Sequence, residues 1–139
     1  MMLVTDGKGV PLGFLVESAN AAEIALADDT LATIQVPQQR GRPKTRPREL
    51  VADKAYDKDL FRTTLRWRGI HPCIPERKHR RSRPGPKLKL DSYRLRWHVE
   101  RSFAWLQNFR RLVVRYERSA QMFEAFVLLA FILICLRQF

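Results

Sequence analysis

Four residues in the last third of the chain have types and spacing suited to chemistry on a phosphate backbone. Tyr93, Arg96, Glu100 and Gln107 are separated by two, three and six residues. On a helix, steps of three, four and seven return to one face. One stripe would then carry a phenol, a guanidinium, a carboxylate and an amide. The guanidinium of Arg96 can hold a phosphate through two parallel N–H donors. A carboxylate such as Glu100 beside those donors suits a metal-dependent reaction on nucleic acid. The same spacing also fits an amphipathic helix with an Arg96–Glu100 surface pair. His98 lies two residues before Glu100. It therefore points to another face, as a packed or solvated imidazole. Trp97 and Trp105 stand eight residues apart, about two turns, and read as core rather than as platforms for bases.

The elements that must position these groups can be read from local pattern. Glu49–Asp53 is apolar in its middle and ends in a carboxylate. It reads as a buried strand, and in open α/β sheets ligands bind at the carboxyl ends of strands. Asp57 is placed to cap a helix over about Lys58–Arg68, stopped by Gly69. His71–Pro75 follows as an edge or irregular strand, because Pro72 and Pro75 cannot donate to a ladder. Asp91 or Ser92 is placed to cap one long helix that carries Tyr93–Gln107 and reaches Arg111 or beyond. Upstream, Leu3–Thr5 and Leu12–Val16 flank the turn residues Asp6-Gly7-Lys8-Gly9 and read as a β-hairpin. Asp6 is therefore assigned to its own turn and not to a catalytic site. Asn20 is placed to cap a helix over Ala21–Ile34, and a last apolar helix spans about Ala120–Arg137.

Charge narrows the class of partner. The 139 residues carry a net charge of +12. Residues 1–38 hold one Lys and five acids, whereas residues 39–139 hold 25 bases and nine acids. The positive charge therefore lies in the part that holds the motifs, and nucleic acid is the leading polyanion. An anionic membrane surface and a merely solubilising charge remain as alternatives. Two stretches rich in Pro and bases read as loops. The first, residues 37–48, would contact a DNA backbone through Arg40, Arg42, Lys44, Arg46 and Arg48. The second, Arg77–Lys89, includes Arg80 and Arg81. Cys73 and Cys135 lack metal-ligand spacing and read as buried thiols in a reducing cytoplasm. No signal-peptide pattern opens the chain. The apolar run Ala125–Leu136 is too short to span a membrane.

Several of these segments together resemble bacterial insertion-sequence transposases of the DDE type. Tyr93, Arg96 and Glu100 match the Tyr-x2-Arg-x3-Glu-x6-Lys signature of that family, with Gln107 where the signature has Lys. Gln107 keeps a donor for a phosphate oxygen but lacks the point charge. Val51–Asp57 looks like the segment that bears the family's second catalytic Asp. Gly69–Pro75 and Val99–Leu106 match its usual wording. The resemblance runs from about Leu3 to the C-terminus. It implies a ribonuclease-H-like α/β fold, with a mixed sheet and flanking helices followed by the signature helix. It implies Mg²⁺-dependent cleavage and strand transfer of double-stranded DNA. Asp53 and Glu100 would be catalytic metal ligands at a two-Mg²⁺ site, and Tyr93, Arg96 and Gln107 would bind phosphate. The strand bearing the first catalytic Asp has no counterpart, so the chain is expected to open inside the second strand. It would be the downstream reading frame of a frameshifted element, a remnant or a regulatory fragment, and inactive alone. The expected partners are element and target DNA, an upstream transposase segment and a second copy in a synaptic complex.

Overall fold

The computed structural model describes residues 1–17, 21–77 and 88–137. The chain divides into two units, one of Met1–Gln35 with Trp97–Phe139 and one of Val36–Arg96.

The first unit opens with the expected hairpin. Strands β1 (Met2–Thr5) and β2 (Pro11–Leu15) pair antiparallel, with Leu3 opposite Phe14. Local chemistry closes the turn. Asp6 Oδ1 accepts from the N–H groups of Lys8 and Val10 at 2.8 and 2.9 Å. Gly9 sits at φ +85°, a region that side chains rarely enter. Helix α1 (Glu23–Ala32) packs on both strands and buries Ala27, Thr30 and Leu31. A Cβ on Gly13 would stand 2.3 Å from Thr33 Oγ1, so glycine lets β2 approach the end of this helix. The expected cap Asn20 lies outside the described residues, and Ala22 occupies the cap position without a side-chain bond.

Helices α4 (Trp97–Leu106), α5 (Arg110–Val113) and α6 (Ala120–Leu136) complete this unit. Leu106, Val127, Ala130, Phe131 and Ile134 form its core, lined by Leu3, Phe14, Phe103 and Trp105. Phe14 and Phe131 meet edge to face at 5.3 Å, a favoured aromatic geometry. Helix α6 is apolar nearly all round and buries only one side; Leu129, Ile132 and Leu136 face outward. Among the described residues, no helix is long and apolar enough to cross a membrane.

The second unit holds a parallel pair, β3 (Glu49–Val51) and β4 (His71–Cys73), with Leu50 opposite Pro72. Parallel strands need a crossover, and helix α2 (Asp59–Trp67) supplies it. Phe61 and Leu65 of α2 are buried, as are Ile70, Cys73 and Ile74. Gly69, at φ +71°, ends the helix as expected. Among the described residues β4 pairs on one side only, which accommodates Pro72. Helix α3 (Leu90–Arg94) closes the unit.

Several expectations need correction. The single long helix does not form. Leu95 N–H donates to Ser92 O and Arg96 N–H to Tyr93 O, both at 3.0 Å. These i→i−3 bonds tighten the chain into a turn between α3 and α4. The division between the two units falls at that turn, after Arg96. Tyr93 and Arg96 therefore do not share a continuous helix with Glu100 and Gln107. The described strands form two separate two-stranded sheets and not one larger mixed sheet, so the architecture is a small mixed α/β fold. Strand β3 is half-buried rather than buried. Asp57, Asp91 and Ser92 are not helix caps; Lys58 and Lys89 stand at those positions, without side-chain cap bonds. Cys73 is buried, but Cys135 is partly exposed, and both are free thiols. Trp97 is 49% exposed and so is not a core residue.

Candidate functional site

In the second unit, Asp53 stands two residues after the end of β3 and opens the 3₁₀ turn Lys54–Tyr56. Its carboxylate is half-exposed, and Arg96 Nη1 lies 3.8 Å from its Oδ2. Such an open pair contributes on the order of 0.2–1 kcal/mol. Its interest is positional: the fold brings two of the expected site residues, Asp53 and Arg96, from segments 43 residues apart in sequence. Tyr93 is half-buried on α3, one turn before Arg96.

The segment that presents Asp53 is locked by a group the sequence reading assigned differently. The Asp57 side chain is fully buried. Its Oδ1 accepts from Arg62 Nε at 2.8 Å, and its Oδ2 accepts from the Arg77 N–H at 3.0 Å. Arg62 Nη2 continues to Ile74 O at 2.6 Å. The Arg77 side chain donates back to Lys54 O and Ala55 O at 3.2 and 3.1 Å. Charge-assisted bonds to a buried carboxylate are short and directional, and losing one partner leaves an uncompensated buried charge. Asp57, Arg62 and Arg77 thus fix the turn that carries Asp53. At the other end of β3, Glu49 Oε2 accepts from Ser92 Oγ at 2.9 Å, and Glu49 Oε1 lies 3.6 Å from Lys89 Nζ. Ser92 therefore ties α3 to β3. Burial pushes the Cys73 thiol up, with Glu49 adding to the shift.

The first basic stretch is a closed loop. Val36 and Lys44 exchange two backbone bonds of 2.9 Å. Gly41, at φ +89°, forms its open tip between Arg40 and Arg42. Arg40, Arg42, Lys44, Arg46 and Arg48 are all exposed. Arg46 Nη1 donates to Arg68 O at 2.9 Å, which docks the loop on the end of α2. Arg80 and Arg81 lie outside the described residues. The second unit holds 19 Lys and Arg against six acids, a net of +13, whereas the first holds seven against eight, a net of −1. The excess positive charge therefore belongs to Val36–Arg96 alone. It is not spread over residues 39–139 as the sequence division suggested.

In the first unit, Glu100 is exposed in the first turn of α4. The next two residues anchor that turn to the hairpin. Arg101 donates to Lys8 O, and its guanidinium lies 4.5 and 4.7 Å from the ring centres of Trp97 and Trp105. Ser102 Oγ is buried, 2.7 Å from Gly9 O and 2.9 Å from His98 O. A Cβ on Gly9 would stand 3.1 Å from Arg101 Nη2. The hairpin thus orients the turn that bears Glu100. His98 stacks on Trp97 with 4.1 Å between ring centres. Gln107 follows the last residue of α4 and is exposed.

Among the described residues, no group of three or more His, Cys, Asp or Glu could hold a metal ion.

The chain matches a family described as the transposase DDE domain over residues 1–136. It is 40% identical over 134 residues to a Burkholderia cepacia protein named only as a candidate transposase for insertion sequence element IS402. That match covers 96% of this chain and 60% of the relative's length. No solved structure matches the chain significantly. A family match over nearly the whole chain, together with this relative, establishes that the chain belongs to the DDE transposase family, whose members use a divalent metal.

Proposed function

We propose that this chain is the C-terminal portion of a catalytic domain that cuts and joins insertion-sequence DNA. The observation that carries the reading is Asp53. It stands at the carboxyl end of a parallel strand, on a turn locked by Asp57, Arg62 and Arg77, with the Arg96 guanidinium beside it. Asp53 and Glu100 are the carboxylates of the reaction. Arg96 and Tyr93 hold the phosphate at the cut, and Gln107 donates to a neighbouring phosphate oxygen. The exposed cations from Arg40 to Arg48 bind the DNA backbone, with Arg80 and Arg81 of the second basic stretch. Mg²⁺ is the metal that suits oxygen ligands and phosphates. The donor set is completed by a carboxylate from outside this chain. That carboxylate belongs on a strand beside the edge of β3 that no described strand pairs, which would extend the sheet toward a ribonuclease-H-like fold. The part of the relative that the chain does not match, about 40% of its length, is large enough to supply it.

The test is completion. The chain is joined to the unmatched part of the Burkholderia relative, and strand cleavage is measured on element-end DNA with Mg²⁺. The completed protein should nick and join DNA, and the 139-residue chain should not. Robust cleavage by the chain alone would refute the need for an added carboxylate.

The +13 charge of the second unit favours a second reading, a DNA-binding fragment that regulates transposition without cutting. In that case Asp53→Asn and Glu100→Gln are silent, and only loss of the loop cations changes function.

A further inference from the structure

We propose that Trp67 is a stacking site for an unpaired DNA base, set in a cationic surface that the loop 37–48 and the end of α2 build together. The proposal rests on the DNA-binding reading above and adds a site and a preferred form of DNA.

Trp67 is the last residue of α2 and is 86% exposed. Among the described large apolar side chains it is the most exposed, and its ring offers a broad apolar face. Leu60, one heptad earlier and therefore on the same face, is also exposed. The inward face of α2 is already satisfied by Phe61 and Leu65. The ring thus contributes nothing to the core of its unit.

The surroundings select the partner. Arg66 and Arg68 flank Trp67 in sequence, and the Arg46–Arg68 bond brings the basic loop to the same end of α2. Apart from Arg62, which is held against Asp57, residues 37–48 and 60–70 together hold seven bases and no acid. A protein surface that docks on an apolar ring has no need of this charge. A nucleic-acid strand needs both parts: cations track its phosphates, and an aromatic face takes a base. Arg46 spends one N–H on Arg68 O and keeps others for phosphate oxygens. Bases inside a duplex already stack on one another, so only an unpaired or terminal base can offer its face to Trp67. The surface should therefore favour single strands and frayed ends over blunt duplex.

The test compares two probes on the full 139-residue chain: a short labelled oligothymidine and a blunt duplex of equal length, read by fluorescence anisotropy at fixed salt. Trp67→Ala should weaken single-strand binding on the order of tenfold and leave duplex binding nearly unchanged. Trp67→Phe should retain most of the affinity, and circular dichroism should show both variants folded. Equal binding by wild type and Trp67→Ala, or an equal loss on both probes, would overturn the stacking site and leave the DNA reading standing. A change in association state with unchanged DNA affinity would overturn it in favour of a protein contact. Binding of neither probe by the wild type would overturn both.

Discussion

Asp57→Ala tests how the chain presents its first carboxylate. The Asp57 side chain is fully buried and that of Arg62 is 13% exposed, with 2.8 Å between Oδ1 and Nε. Removing the acid leaves the guanidinium almost without solvent and without its counter-charge, and it strips the Arg77 N–H of its acceptor. Breaking a buried pair from one side costs about 3–5 kcal/mol. Domains of this size have only about 5–15 kcal/mol in total, so the variant should lie near the edge of stability. With a urea slope of about 1–3 kcal/mol per molar, the midpoint should fall by roughly 1–5 M. Asp57→Asn keeps an acceptor for the Arg77 N–H and should lose less. Urea titrations followed by far-UV circular dichroism read all three proteins. A midpoint within about 0.3 M of wild type for Asp57→Ala would show that the Asp57–Arg62–Arg77 group does not hold this turn.

Other expectations follow from single contacts. Gly9→Ala should lower stability by about 1–2 kcal/mol, since a side chain must enter the left-handed region and meet Arg101 and Ser102; thermal unfolding checks it. Replacing Arg40, Arg42, Lys44, Arg46 and Arg48 by Ser should weaken DNA binding and flatten the dependence of log K on log salt by up to about 4, read from affinities across a salt series. Burial pushes the Cys73 and Cys135 thiols up, so both should stay protonated and slow to alkylate at pH 8. Iodoacetamide labelling followed by mass spectrometry should modify partly exposed Cys135 before buried Cys73.

What the sequence revealed and what it hid have physical causes. The hairpin was legible because Asp6 and Gly9 do their work within a few residues of themselves. The end of α2 was legible because Gly69 takes a conformation few other residues take. The break after Arg94 was not legible, because Leu95 and Arg96 are ordinary helix formers. What marks that point is the division between the two units, and no local pattern reports it. Asp57 resembled a cap because its spacing to α2 is right; its real partners, five and 20 residues away, appear only when the chain folds. The concentration of charge in Val36–Arg96 became visible only once Trp97–Phe139 was found to pack with the N-terminal hairpin. Trp67 sends no periodic signal, and its meaning comes from its exposure and from the arginines the fold gathers beside it.

The central claim is that Asp53 and Glu100 perform strand cleavage and do not merely shape a DNA-binding surface. The most direct test is single-turnover cleavage of element-end DNA by the completed transposase carrying Asp53→Asn or Glu100→Gln, with DNA affinity measured on the same preparations. Cleavage should fall to background for each variant, with affinity unchanged or raised by the loss of a negative charge. Cleavage at the wild-type rate by either variant would contradict the assignment.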